Sequence, residues 1–210
     1  MTHVAHPYIQ RIGILRDWKS RWFARDQKQY RDFLKCDTVI REFLEKRLRG
    51  MYVSDIDIER NDKQLRVIIK TSRPGMVIGR SGEGATKLKK ELDRKIVGLS
   101  LPDNPELKLD VEEIRSPESN AAIVGAMIAE GLEKRMPFRR ILKQTADKVM
   151  ANRDVQGVRI AVSGRLGGSE MARREQIKKG RVPLQTLRSD IDFARIPARL
   201  SYGVIGIKVW

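Results

Sequence analysis

The chain has 210 residues with a formal net charge of +16, and hydrophobic residues make up 40% of it. This composition excludes a wholly disordered chain, while the charge predicts a polyanionic partner. The longest apolar run, 121–129, is far shorter than the ~20 residues of a membrane span. Cys36 alone cannot form an internal disulfide, and with His3 and His6 it cannot complete a zinc site, so we expect no metal or cofactor. His, Pro and Arg stand where a secretory signal needs apolar residues, so we expect the chain to remain in the compartment of its synthesis.

The first module begins with a predicted helix and β-hairpin. Apolar residues recur at helical spacing over residues 38–49. Residues 55–59 then alternate between acidic and apolar side chains, Asn61-Asp62 predicts a turn, and residues 65–70 alternate again. The pattern therefore predicts one amphipathic helix followed by two antiparallel strands.

A glycine loop follows the hairpin, with two glycines around two polar residues: Gly79, Arg80, Ser81 and Gly82. The helical pattern resumes over residues 83–95 with five basic side chains, and after an insert at 98–108 a third strand is predicted at 107–111. Glycine lets a backbone approach a sugar-phosphate chain closely, and the helix start offers free N–H groups. This order of elements resembles that of a KH domain, whose GxxG loop clamps RNA.

The same glycines partly match two nucleotide-binding motifs. Gly79 and Gly84 have the spacing of a Walker A loop, but Ala85 occupies the position of its lysine. Gly82 and Gly84 form a GxG pair, but Lys87 stands where a dinucleotide-binding fold needs its third glycine. A plain strand-to-helix turn is the remaining alternative. The basic helix behind the loop favours RNA.

The second module is predicted to contain two helices followed by an antiparallel sheet, an α+β arrangement. Ser116-Pro117 predicts the cap of a helix rich in small residues that extends to Leu132, and Pro137 begins the next helix. The segments expected to build the sheet are 158–162, 173–181, 191–193 and 205–209.

Most of the positive charge lies in this second module. Residues 134–188 carry 15 basic and 4 acidic side chains, whereas residues 51–133 carry 13 and 15. Arg139, Arg140 and Lys143 fall on one helical face. A charge run is often only a solvated face, but so many like charges destabilise a fold unless a polyanion binds. Because aromatic residues are few here, we expect phosphate contacts, assigned to Arg165, Arg173, Arg174, Lys178, Lys179 and Arg181.

The remaining residues form no catalytic constellation in the sequence. Asp55, Asp57 and Glu59 share a strand face and could hold the metal of a nuclease, although alternating acids are more often the polar side of a sheet. Cys36 is predicted to be a small, semi-buried residue rather than a nucleophile. The aromatic residues near the N-terminus are expected to dock onto the first module, with base stacking as the alternative: Trp18, Trp22 and Phe23.

Several longer segments resemble the bacterial-type small-subunit ribosomal protein number three across nearly the whole chain. The segments that carry the resemblance are RIG at 11–13, DW at 17–18, RPGMVIGRSG at 73–82, FRR at 138–140, VSGRLGGSE at 162–170, GRVPL at 180–184, TLR at 186–188 and YGVIGIKVW at 202–210.

This resemblance implies an N-terminal arm at 1–37, a type II KH domain at 38–115 and a family-specific two-helix, four-stranded α+β domain at 116–210. It implies a structural, non-enzymatic protein of the small-subunit head, in a cytoplasmic or organellar ribosome. The partners would be ribosomal RNA, mRNA and the neighbouring head proteins ten and fourteen, without a membrane. Arg139, Arg140 and Lys143 match the helix that this family presents to incoming, structured mRNA. A free KH-domain regulator of transcripts is the alternative function.

Overall fold

The computed structural model describes residues 6–61, 64–99 and 105–210, and the chain divides into two compact units. One unit is Trp18–Arg115, and the other combines Ser116–Trp210 with Met1–Asp17. The segment predicted as one N-terminal arm, 1–37, is therefore shared between them. Hydrogen bonds agree with this division. Arg11 donates to the Thr186 carbonyl of the second unit, whereas the Trp22 indole donates to Asp37 of the first.

The first unit is a four-stranded sheet with three helices. Its elements in chain order are β1 (Ser20–Arg21), α1 (Gln27–Arg47), β2 (Val53–Arg60), β3 (Gln64–Thr71), α2 (Pro74–Ile78), α3 (Glu83–Val97) and β4 (Glu106–Glu113). The strands lie in the order β1-β2-β3-β4, with β2 antiparallel to β3 and the outer pairs parallel.

The core of this unit confirms the alternation predicted for the hairpin. Ile56 and Ile58 of β2 and alternate residues of β3 point into one apolar cluster with α1 and α3. The fully buried members are Cys36, Ile40, Leu44, Ile58, Leu65, Val67, Ile69 and Leu92. Apolar side chains recur about every two residues in the strands and every 3.6 residues in the helices. Burying them against one another stabilises the packing of this sheet and these helices.

Two features of the first unit differ from the sequence prediction. Helix α1 begins at Gln27 instead of residue 38, because buried Cys36 and Asp37 continue its inner face through a stretch of polar residues. A short helix, α2, also stands where only the end of the hairpin was predicted. Asp62 of the predicted turn and residues 100–104 of the insert, like His3, lie outside the described residues.

The second unit is an antiparallel sheet with two helices on one face. Its elements are α4 (Ala121–Glu133), α5 (Phe138–Met150), β5 (Gly157–Gly164), β6 (Arg173–Gly180), β7 (Ala194–Leu200) and β8 (Gly203–Val209). The strands lie in the order β6-β5-β8-β7. The core joins α4 and α5 to alternate residues of the sheet: Val124, Ile128, Leu132, Leu142, Ala146, Val158, Ile160, Val162, Ala198, Ile205, Ile207 and Val209. The predicted α+β fold is confirmed.

The start of α4 and the position of β7 differ from the sequence prediction. The cap of α4 is Asn120, whose side chain accepts hydrogen bonds from the amides of Ala122 and Ile123, while Ser116-Pro117 begins only a short 3-10 turn. The strand predicted at 191–193 lies instead at Ala194–Leu200. Ile191 and Phe193 lie outside a strand, and their alternating apolar pattern arises because both side chains pack with Ala161 and Trp210. No helix of the described residues is long and apolar enough to cross a membrane.

Candidate nucleic-acid interface

The glycine loop connects the end of α2 to the start of α3. Gly79 and Gly82 have φ values of +73° and +80°, a region that L side chains rarely adopt, and Ser81 between them has a φ of +51°. Gly79, Arg80 and Ser81 are exposed. The loop thus turns sharply, and its outer surface can be reached by a ligand.

The two helices around the loop approach so closely that glycine is required on both sides. A Cβ on Gly79 would lie 3.0 Å from the Gly84 amide nitrogen, and a Cβ on Gly84 would lie 2.7 Å from the Val77 carbonyl oxygen. A Cβ on Gly82 would meet nothing within 4 Å. Gly84 therefore allows the two helices to pack closely. Gly82 allows the turn through its positive φ and leaves its backbone uncovered.

Charge and apolar surface surround this loop. Arg80 has no ion-pair partner within the part of the chain that the structure describes, and Glu83 pairs with Lys87 at 3.7 Å. Met76 and Ile78, just before the loop, are 52% and 37% exposed. The free amides at the start of α3 add a positive dipole end. This arrangement can hold a phosphate on the loop with bases against the apolar side chains.

Helix α5 presents its basic face as predicted from the sequence. Arg139, Arg140 and Lys143 are exposed, and the opposite face buries Ile141 and Leu142. The three cations are not equivalent, however. Arg139 donates to both carboxylate oxygens of Glu175 on β6, at 3.3 and 3.2 Å, while Arg140 and Lys143 have no ion-pair partner among the described residues.

Glu175 links the basic helix to the basic strand. Arg173 lies 3.3 Å from the same carboxylate, and the guanidinium groups of Arg139 and Arg173 each lie 5.6 Å from the centre of the Phe138 ring. The hydrogen bond from Arg139 lowers the pKa of Glu175, and the same bond raises the pKa of Arg139. One carboxylate therefore neutralises part of the predicted cationic surface.

The six predicted phosphate contacts do not form one surface. Arg173 and Lys179 point to the helix-covered side of the sheet, where Lys179 pairs with Asp147. Arg174 and Lys178 point to the opposite side, because successive side chains of a strand alternate. Arg165 and Arg181 lie outside the strands; Arg165 donates to the Ser169 carbonyl at 3.0 Å.

Sequence reasoning missed four further cations that share a sheet face with Arg174 and Lys178. They are Arg159, Arg195, Arg199 and Lys208. The alternation of Arg195 and Arg199 was the available signal. The predicted strand, 191–193, ends before both of these arginines, whereas the observed strand is Ala194–Leu200.

The candidate metal-binding acids are engaged in ion pairs instead. Asp55 pairs with Lys19, Asp57 with Lys70 at 2.8 Å, and Glu59 with Arg66 at 3.2 Å. Burial would raise the pKa of Asp55, but its contacts with Lys19, Ser54 and Lys70 outweigh burial and lower it. The described residues contain no group of three or more side chains that could hold a metal ion.

The remaining candidates have structural surroundings. Cys36 is fully buried, and burial raises the pKa of its thiol, so it is a poor nucleophile. Trp22 docks as predicted, with its indole 2.8 Å from Asp37, whereas Trp18 and Phe23 are 61% and 88% exposed. Trp22 therefore packs against the first unit as expected, while the side chains of Trp18 and Phe23 stay largely accessible to solvent.

Comparisons with known proteins agree with this geometry. Residues 39–119 match the family model of the KH domain, and residues 128–210 match that of ribosomal protein S3, C-terminal domain. Over all 210 residues the chain is 46% identical to the small ribosomal subunit protein uS3 of Hydrogenovibrio crunogenus, covering 88% of it. It is 44% identical to the uS3 of Caldicellulosiruptor saccharolyticus, covering 91%, and 43% identical to that of Pseudomonas aeruginosa, covering 88%.

Proposed function

Because this chain belongs to the family of small ribosomal subunit protein uS3, we propose that it is a structural component of the small-subunit head that binds ribosomal RNA and lines the mRNA entrance. The family is one of structural, RNA-binding proteins and not of enzymes. In this proposal residues 38–115 act as the KH domain and residues 116–210 as the domain that meets mRNA. Head proteins ten and fourteen are the proposed neighbours.

The observation that carries the mRNA role is the exposed basic face of α5. Arg140 and Lys143 project from a helix whose other face is anchored by Ile141, Leu142 and Val149. Neither cation is neutralised by a described carboxylate, so both can contact phosphates. A rigid row of cations can hold a single strand as it leaves a duplex, which supports a contribution to mRNA unwinding.

The KH loop supports a second contact with RNA. Gly79, Arg80, Ser81 and Gly82 offer an exposed turn, a cation without an ion pair and a helix N-terminus within one short segment. In the assembled particle we propose ribosomal RNA as the ligand of this loop. The two predicted phosphate contacts that lie outside the strands, Arg165 and Arg181, would hold further phosphates of the same RNA.

Sedimentation tests the ribosomal assignment. In a lysate gradient we expect the chain to migrate with small subunits, and RNA crosslinked to it to be mainly ribosomal. Migration near the top of the gradient, with crosslinks spread over many messages, would instead indicate a free KH-domain regulator and reject the proposal.

Translation by reconstituted small subunits tests the role of α5. Arg140→Ala with Lys143→Ala should slow translation of a message with a stable hairpin several-fold and leave an unstructured message unchanged, because fewer cations hold the entering strand. The matched control is Lys148→Ala, an exposed lysine on the same helix that pairs with Glu118. Equal rates for the variant and the control on the structured message would contradict the proposal.

A further inference from the structure

One face of the second unit's sheet is covered by α4 and α5, and the other face has no α-helix among the described residues of this unit. On the covered face, a Cβ on Gly125 of α4, for example, would lie 2.8 Å from the Ile196 side chain of β7. The residues of the helix-free face follow from the strand register: Arg174, Gln176 and Lys178 of β6, Arg159, Ala161 and Ser163 of β5, Val204, Gly206 and Lys208 of β8, and Arg195, Pro197 and Arg199 of β7.

This face has six cations and no carboxylate at any of these positions. Arg174, Lys178, Arg195 and Arg199 are exposed, and Arg159 and Lys208 are half-buried. None of the six forms an ion pair with any residue in the described ranges. On the helix-covered side, by contrast, Glu175 and Asp147 accompany Arg173 and Lys179. Carboxylates therefore neutralise the positive charge of β6 only on the helix-covered side of the sheet.

The register also brings like charges together. Arg159 lies directly opposite Lys178, and Arg195 lies directly opposite Lys208. Like charges in such cross-strand pairs destabilise a sheet, and no described acid relieves them here. A polyanion bound across the face would remove this repulsion.

The middle of this face carries small side chains and is partly accessible to solvent. Ser163, Gly206 and Pro197 form one row across three strands. Arg174 ends this row at one edge of the sheet, and Arg199 lies two residues beyond Pro197 along β7 at the other edge. Val182, Leu184, Ile191 and Phe193 cover the adjoining part of the face near Ala161 and Trp210. The uncovered part is a flat, basic surface with small side chains, which a phosphate backbone can approach closely.

We propose that this face, defined by the six cations, binds the phosphate backbone of RNA as a surface separate from α5 and the glycine loop. The inference rests on the proposed RNA-binding role of the chain and adds a site to it. An RNA ligand is favoured over a protein because Val204 is the one large apolar side chain exposed on this described face, whereas protein interfaces need buried apolar anchors. At the described positions of this face no exposed aromatic residue is available for stacking, so the contact is with phosphates.

The test uses the purified full chain and a fluorescein-labelled RNA hairpin, with binding measured by anisotropy from low to high salt. The two variants are Arg195→Gln with Arg199→Gln, and Arg174→Gln with Lys178→Gln. The control is Lys134→Gln with Arg153→Gln, which removes the same charge from exposed positions off the sheet. Each face variant should weaken binding about tenfold and reduce the salt slope by about 1 to 2, while the control changes neither.

Two further measurements separate the outcomes. In low salt, Lys178→Gln and Lys208→Gln should each raise the melting temperature of the free protein, because each removes a repulsive pair, whereas misfolding would lower it. RNA should protect Lys178 and Lys208, but not Lys134, from acetylation. If the face variants fold, migrate with small subunits and bind the hairpin like the control, the inference is overturned while the proposed function stands. Protection of these lysines by an acidic protein partner instead of RNA would overturn it too.

Discussion

Arg11 shows how one residue can organise a distant segment. It is fully buried, and its guanidinium donates to the carbonyls of Pro7, Leu184, Thr186 and Ser189 at 2.6 to 3.1 Å. Its guanidinium is thus balanced by four backbone dipoles. A buried charge is tolerated only when its donors are satisfied in this way, so Arg11 holds the 184–189 loop in place.

Replacing Arg11 should therefore be costly. Arg11→Met keeps much of the side-chain volume but leaves four carbonyls without their donor, and we expect a loss of about 3 kcal/mol in the free energy of unfolding. Urea unfolding followed by circular dichroism measures this loss. The control is Arg16→Met, which breaks an exposed pair with Asp190 and should cost less than about 1 kcal/mol. Similar losses for both variants would show that Arg11 has no special role.

Glu175 controls how much of the α5 charge is available. Its folded pKa is lowered by Arg139, so at pH 7 it is ionised and neutralises part of the basic surface. The stability that this carboxylate contributes is present above its unfolded pKa, and it is lost as the pH falls through the lower folded value. We therefore expect Glu175 to lower the affinity of this basic surface for RNA.

Glu175→Gln should strengthen binding of an RNA hairpin at pH 7, with a salt slope larger by about 0.7 to 0.9 for each cation released. The difference from the unchanged protein should disappear as the pH falls through the folded pKa of Glu175, because protonation has the same effect as the substitution. Glu170→Gln adds the same charge on an exposed loop and is the control. Equal binding by both variants would contradict a specific role for Glu175.

At the scale of elements, the contact between α2 and α3 positions the glycine loop. The carbonyls of Val77 and Ile78 approach Gly84 so closely that even a methyl group would meet backbone at 2.7 and 2.8 Å. Backbone cannot move aside as a flexible side chain can. The geometry of the glycine loop therefore depends on Gly84, a residue outside the loop itself.

Gly84→Ala should force the two helices apart, lower the unfolding free energy by about 1 to 3 kcal/mol and weaken RNA binding. Gly75→Ala is the matched control, since a Cβ there meets nothing within 4 Å and alanine favours the helix. Thermal melting and anisotropy with the RNA hairpin measure the two effects. A Gly84→Ala protein as stable and active as the Gly75→Ala protein would contradict this packing argument.

At the scale of the whole molecule, the N-terminal segment belongs to the far end of the chain. Met1–Asp17 groups with Ser116–Trp210, and besides the Arg11 bonds the His6 ring packs edge-on against Phe193 with centres 4.5 Å apart. The second unit thus includes both ends of the sequence and depends on contacts that span more than 170 residues. Its stability should respond to changes at either end.

Deletion of residues 1–17 should destabilise the second unit selectively. Hydrogen exchange measured by mass spectrometry should show faster exchange in β5, β7 and β8, because the 184–193 segment loses its Arg11 and His6 contacts and no longer covers the sheet. Exchange in β2 and β3 of the first unit should remain unchanged and serves as the internal control. Faster exchange throughout, or in neither unit, would contradict the assignment of the segment.

Apart from β1 and α2, the sequence by itself determined the order of the helices and strands, the KH loop and the basic face of α5, because these depend on local periodicity and on glycines at close spacing. The limits of α1 and β7 differ from the sequence prediction, because Asp37 is a buried polar residue and because Ile191 and Phe193 alternate outside a strand. Only the tertiary structure decided which cations share a face, that Glu175 neutralises Arg139 across 36 residues, and that Arg11 holds a loop near the other end of the chain. Ion pairs and the register between strands bring together residues that are distant in the sequence, and such pairs cannot be predicted from local sequence patterns.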